Sequence, residues 1–455
     1  MLTKRWPSIA IIAAALALAA ATTAAARSSA GRWTRISGPK NAGPQLGLAR
    51  RADGTLDVIW NRGSGTMPTT IFDTRLSPAG DTLGTTTVAT NWGGAMGLGL
   101  LVMPDRTLRL FATGAHAPGT PPGQSGMNTL TAKADGTGWT LAAGDIWGGA
   151  GASASTFVGA VLTKDGQPAT AWAAAGVASV KLGLTSGDEG TQVCPCFAMT
   201  ADLATDQGSG AVVEAGTTIG TPAGTFVQQA LPTLGQREVL HSATDPSSSG
   251  IAARIGAPGV FVAFTDRQTV QLHRYQGPTT TVARGPYTLA KVFAAPGGRL
   301  WLAWGGPTAL FVTRSNMAAS RFEPVQHLTL PARGATLWNA QGEGSAGPLD
   351  LFADVERAPG DRGFWHTHIL PRLSAFAEVI RDTTTRKGVP PKPTEVIVRV
   401  SDAGDPVAGA TVTIGGTTEH TDAAGRARFT LATHGPFHGT VAAEGYERGA
   451  VSGRS

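Results

Sequence analysis

A short apolar strand, a tight turn built on Asp or Gly, and a second apolar strand recur through most of the chain. The unit first reads from Leu46 to Trp60 around Asp53-Gly54, then from Leu98 to Phe111 around Pro104-Asp105. It returns from Val158 to Trp172 around Lys164-Asp165-Gly166, and more weakly from Met199 to Ala215 and from Ile251 to Phe264. A clear copy runs from Leu289 to Trp304 around Pro296-Gly297-Gly298, and a last one, with a longer loop, from Ala335 to Phe352. Asp-Gly and Gly-Gly supply positive φ at a hairpin turn without steric cost. The flanking Val, Leu, Ile and Trp favour extended backbone. The turns fall roughly 40–60 residues apart, a period that suits propeller blades.

A more polar hairpin alternates with the first kind. Thr70 to Val88 turns at Pro78 to Asp81, Thr129 to Ile146 at Asp135-Gly136, Val180 to Val193 at Gly187-Asp188, and Ala309 to Leu330 near Asn316. Two hairpins make a four-stranded unit, and about seven such units fit. One sheet cannot bury two apolar faces by itself, whereas neighbouring blades bury them for each other. The predicted fold is therefore all-β: a β-propeller of about seven blades over residues 32–382. The rival architecture is a stacked pair of sandwiches. The segment Arg32 to Ile36 resembles the strands that end other units, and it is expected to join the last blade and close the ring, removing exposed edges.

The N-terminus has the layout of a secretory signal peptide: Lys4 and Arg5, an uncharged apolar run from Ile9 to Ala21, and small residues Ala24 to Ala26 at the cleavage positions. Residues 1–26 are assigned to that signal. The run is shorter than the ~20 residues a spanning helix needs, so the mature chain is expected to lack a transmembrane segment and to be extracellular, held to a cell envelope by non-covalent contacts if at all. The formal charge of +6 falls by Lys4 and Arg5 to +4. Its basic residues are scattered, which argues against a nucleic-acid partner.

Pro390-Pro391-Lys392-Pro393 marks a stiff break, and residues 383–394 read as a linker. Beyond it come Val396 to Val400, then Asp402-Ala-Gly-Asp-Pro-Val-Ala-Gly-Ala-Thr-Val412, Thr421-Asp-Ala-Ala-Gly-Arg-Ala427 and Ala443-Glu-Gly-Tyr446. Residues 395–455 thus resemble the carboxypeptidase regulatory-like family, a small transthyretin-like or immunoglobulin-like β-sandwich. The resemblance implies a stalk, spacer or adhesive module without catalytic residues. It makes Asp402, Gly409, Asp422 and Gly425 turn formers and Tyr446 a packing residue.

The repeated body looks like the sialidase-type propellers at the level of fold. Asp135-Gly136-Thr137-Gly138-Trp139 is a degenerate echo of their Asp-box. Sialidase chemistry departs from the usual carboxylate pair by using a tyrosine. Tyr287, near Arg284, is better placed for it than Tyr275, but no Glu partner can be named and blade packing is the simpler role. His366 and His368 share one strand face in Trp365-His-Thr-His368, too few ligands for a metal site. Trp60, Trp172, Trp301 and Trp304 fall on inner hairpins, where core packing is expected and sugar stacking is the sharper reading. Cys194 and Cys196 flank Pro195 and form the disulfide candidate; a redox pair or a metal site is also open.

No catalytic residue, cofactor or metal is assigned. The leading expectation is a secreted binding or scaffold protein that recognises a glycan or protein at the cell envelope. A sialidase-like glycoside hydrolase and a purely structural surface module are the alternatives. The ligand, the oligomeric state and the redox state of the cysteine pair are not written in the sequence.

Overall fold

The structure is a computed structural model and describes residues 32–39, 45–62, 69–93, 97–116, 126–133, 138–147, 157–174, 177–184, 191–194, 197–219, 224–242, 249–380, 394–432 and 435–455. The signal segment, Cys196, residues 134–137 and the Pro-rich linker lie outside them. Regular structure among the described residues is strand, apart from a single 3-10 turn at Pro296–Gly298.

Among the described residues seven four-stranded antiparallel units follow one another, the first two joined edge to edge where Trp92 pairs with His116. Their innermost strands are Gly47–Arg50, Leu98–Val102, Val158–Leu162, Phe197–Thr205, Gly250–Ala253, Leu289–Ala294 and Thr336–Glu343. Each packs beside the next, and the seventh packs beside the first, so the inner strands form a closed ring. We number the blades 1–7 in this order. Apolar clusters lie between adjacent blades, such as Ala169, Ala171, Val180, Leu203 and Phe226 between blades 3 and 4. This is the mutual burial of sheet faces that the alternating pattern predicts.

Every inner hairpin expected from the sequence is present. Local chemistry builds the turns. In blade 1 the Asp53 carboxylate accepts from the Thr55 N–H at 2.9 Å, and in blade 2 Asp105 holds Thr107 the same way, also at 2.9 Å. Such Asx turns hold the chain reversed before the ladder begins. Two outer hairpins were not anticipated: Gly224–Leu231 with Glu238–Ser242, connected through Pro232 and Gly235, and Thr269–Arg274 with Thr279–Arg284, turning at Gly277-Pro278.

Blade 7 takes its outer strand from the N-terminus, as expected. Thr34 pairs with His366 and Arg35 with Trp365. Arg35 donates to Asp361 at 2.6 Å, and the Trp33 indole N–H donates to the Thr329 carbonyl at 2.6 Å. A second clasp joins blades 1 and 7: the Arg50 guanidinium donates to both Glu343 and Asp350.

One strand departs from the predicted partition. Ser374–Ile380 precedes the Pro-rich stretch and was placed by sequence in the repeated body, yet it pairs along its length with Thr394–Asp402. Its residues are half-buried apart from the exposed Phe376 and Ile380, and the pairing with the long Val-rich partner decides its place. It belongs to a C-terminal unit of two four-stranded sheets, which share a core of Val396, Val398, Val412, Ile414, Phe429 and Val441.

The two parts meet on a buried polar junction. Asp402, fully buried, accepts from Arg314 Nη1 at 3.0 Å and from the Tyr446 hydroxyl at 2.7 Å, and lies 3.3 Å from Arg299 Nε. Asp405 accepts from Arg299 Nη1 at 2.6 Å and from the Met317 N–H at 2.8 Å. Asp402 is thus the centre of a docking contact, not only a turn former, and Tyr446 is half-buried against it instead of packing in the core. Asp422 and the positive-φ Gly425 do form a turn, the Asp422 carboxylate accepting from the Ala424 N–H at 2.9 Å.

Candidate site in the axial lumen

The ring of inner strands encloses a lumen of about 590 Å³ to which all seven blades contribute. Its walls are mostly aliphatic, with Phe157 and Phe293 and polar side chains that include Gln45, Asp202, Lys291, Asn339, Gln341 and Glu343, with Thr205, Gln207 and Ser345 besides.

A register common to the blades shows why so few side chains reach in. The inner hairpins close through N–H to carbonyl bonds from Arg51 to Thr55, Met103 to Thr107, Thr163 to Gln167, Asp206 to Ala211, Arg254 to Gly259 and Ala295 to Arg299. Four residues before each closing donor stand Gly47, Gly99, Gly159, Asp202, Gly250 and Lys291. In blade 7 the pairing of Glu343 with Asp350 puts Ala340 at that level. The ring leaves little room here. A Cβ at Gly159 would sit 2.8 Å from Asp202 Cα, and one at Gly250 would sit 3.1 Å from Lys291 Cα. Asp202 and Lys291 therefore stand as an acid and a base on a tier otherwise made of glycine and alanine.

These two side chains have surface open to the lumen, but protein encircles that space, so they feel the field of an interior. Burial raises the Asp202 carboxyl above its usual range, against the Leu203 N–H and the Lys291 charge. Burial likewise pulls the Lys291 ammonium down to about 8, against Asp202. Lys291 Nζ donates to the Ser249 carbonyl at 2.5 Å, and Leu203 N–H donates to Asp202 Oδ1 at 2.9 Å. A recess of about 30 Å³ lies among Gln45, Asp202, Ser249, Gly250 and Lys291.

Gln45 organises the opposite wall. Its Oε1 accepts from the Leu98 N–H at 3.0 Å and the Val158 N–H at 2.7 Å, and its Nε2 donates to the Val158 carbonyl at 2.8 Å. One amide thereby links blades 1, 2 and 3. Gln341 Oε1 accepts from the Leu46 N–H at 2.9 Å and links blade 7 to blade 1. With these amides engaged, Asp202 and Lys291 are the side chains best placed to exchange hydrogen bonds with a guest.

Residues flagged by sequence lie elsewhere. Tyr287 packs edge-on against Trp304 and Phe311, with centroids 6.5 and 5.8 Å away, as a blade aromatic. Trp60, Trp172, Trp301 and Trp304 are buried core residues. His366 and His368 do share a face, and both donate to Asp350 Oδ1, at 2.8 and 2.9 Å. Burial opposes ionisation of Asp350, but these bonds outweigh it and hold the carboxyl well below its ordinary range. This cluster is a clasp behind Arg50 and does not line the lumen. Cys194 ends the outer strand of blade 3. Among the described residues no group of three or more His, Cys, Asp or Glu is arranged to hold a metal ion, and no helix is long and apolar enough to cross a membrane.

Sequence reasoning missed Gln45, Asp202, Lys291 and Gln341. Aligning the inner hairpins on their turns would have exposed the Asp and Lys, because they interrupt a column of glycines.

No family model matches the sequence, and no curated protein does. Among solved structures the chain is similar to the BP39L lectin from Burkholderia pseudomallei, with a TM-score of 0.50 and 12% identity over 72% of this chain and 96% of that one. It is also similar to virginiamycin B lyase from Staphylococcus aureus, with a TM-score of 0.43 and 9% identity over 74% and 99%. A third likeness is to the Hadza microbial sialidase Hz136, with a TM-score of 0.41 and 11% identity over 71% of this chain and 65% of that one. At such identities the likeness is one of fold: this is an all-β protein with a β-propeller.

Proposed function

We propose that the chain is a secreted, non-catalytic binding protein whose propeller takes part of an extracellular glycan into the axial lumen. The observation that carries this reading is the Asp202–Lys291 pair on the glycine tier. An acceptor and a donor placed together among aliphatic and aromatic walls match a hydroxyl-rich ring, and the lumen falls within the roughly 300–1,000 Å³ of small-ligand sites. The lectin likeness supports the same direction through fold. The packing of Tyr287 against Trp304 and Phe311 speaks against a tyrosine nucleophile. In this reading residues 1–26 direct export, and the C-terminal unit is a carboxypeptidase regulatory-like sandwich serving as stalk.

The test is a glycan array followed by calorimetric titration of the chain from residue 27 onward. Asp202→Asn and Lys291→Met should each weaken binding of the best saccharide by about tenfold, the equivalent of ~1.4 kcal/mol. A wild-type chain that binds envelope peptides but no saccharide overturns the reading.

A further inference from the structure

A second feature, outside the lumen, points to a contact for the same chemical class of ligand. Among the tryptophans whose side chains are described, Trp338 alone is exposed, at 52%. It lies near the start of the innermost strand of blade 7, where Leu337 pairs with Val355 but Asn339 pairs with Asp354. Trp338 is the extra residue of a β-bulge, a device that re-aims a side chain out of the ladder.

The exposed indole is held from one side. Its Nε1–H donates to Glu356 Oε2 at 3.3 Å. The Arg362 guanidinium lies 4.7 Å from the ring centroid, and is itself fixed by bonds of 2.9 and 2.6 Å to the fully buried Asp354. Glu356 is anchored in turn, its Oε1 accepting from the Gly360 N–H at 3.1 Å. An unoccupied surface tryptophan would gain by folding down onto neighbouring apolar surface. Here a bulge, a carboxylate and a buried ion pair hold it outward.

We propose that the face of Trp338 turned away from Arg362 is a stacking platform for a pyranose ring, with Glu356 at the indole's edge for the sugar's hydroxyls. A pyranose presents one face of C–H groups and a rim of hydroxyls. That pattern fits an indole backed on one face by a guanidinium and bordered by a carboxylate acceptor, and it fits an extended peptide or a lipid surface less well, since either would ask for a wider apolar area. The proposal shares with the lumen reading the assumption of a saccharide ligand, but depends on different residues.

The experiment titrates the chain from residue 27 onward with each saccharide that the array retains, comparing wild type, Trp338→Ala, Trp338→Phe and Asp202→Asn, with circular dichroism to verify folding. Trp338→Ala should lose about tenfold or more in affinity for at least one saccharide, and Trp338→Phe should recover part of it. If Trp338→Ala leaves every affinity unchanged while Asp202→Asn weakens them, the platform is refuted and the lumen reading stands. If only Trp338→Ala weakens binding, the platform stands and the lumen reading fails. If wild type retains no saccharide, both fail.

Discussion

Glu323 of blade 6 and Asp402 of the C-terminal unit meet, carboxyl to carboxyl, at the junction between the two parts. Burial first, then a hydrogen bond to Asp402, raise the Glu323 carboxyl to about 8. Glu323 Oε1 and Asp402 Oδ1 are both buried acceptors without another partner, so a proton on Glu323 satisfies both. With it, Arg299 and Arg314 balance Asp402 and Asp405; without it, the pocket carries a surplus negative charge.

This fixes the sign of a pH effect. A carboxyl raised in the folded state keeps a proton that the unfolded chain has lost, so stability falls as pH rises from the ordinary carboxyl range, about 4.3, up to about 8. Glu323→Gln keeps a donor to Asp402 and cannot ionise. Thermal melts between pH 5 and 9 should show wild type losing ground to this variant as pH rises. Parallel curves would refute the shared proton.

The glycine tier predicts a selective intolerance to one methyl group. At Gly159 an added Cβ meets Asp202 Cα at 2.8 Å and Leu203 N at 2.9 Å, both backbone atoms of the next blade. Gly159→Ala should destabilise by ~1–3 kcal/mol, the usual cost of overpacking. Gly84→Ala, with nothing within 4 Å, should be neutral or slightly stabilising. Urea unfolding of the two variants provides the comparison.

Ring closure through Arg50 should be expensive to undo. The guanidinium is 7% exposed and Asp350 is 1% exposed. Arg50→Ala leaves Glu343 and Asp350 without their cation, a loss of ~3–5 kcal/mol for a buried pair. Hydrogen exchange should rise most in the outer strand Thr34–Arg35 and in Arg362–Ile369. Exchange rising equally in blade 4 would argue against a local clasp.

Much of the fold was legible because period-2 apolar runs and Asp or Gly turns repeat. The inner hairpins satisfy both rules, as Leu46 to Trp60 shows. The hairpins at Gly224–Ser242 and Thr269–Arg284 went unread although Gly235 and Gly277-Pro278 stand in their connections, because their flanking strands are polar and carry weak apolar alternation. The Ser374–Ile380 strand was misassigned because its place depends on a partner beyond the linker, which local pattern does not encode. The site was harder still. Asp202 and Lys291 are unremarkable in isolation and become distinctive only when the hairpins are set side by side, level with Gly159 and Gly250. Trp338 carries no sequence signal at all, since its exposure follows from a one-residue slip in pairing.

The docking junction also has a direction. Arg299 lies at the inner hairpin turn of blade 6 and Met317 at its outer one, so the C-terminal unit meets blade 6 at the end where inner hairpins reverse. Trp338 stands near the other end of its strand. If residues 394–455 are fastened to a wall or a larger assembly, the indole faces away from the support, toward whatever passes by. The contacts of Asp402 with its two arginines then set the direction in which the propeller is held.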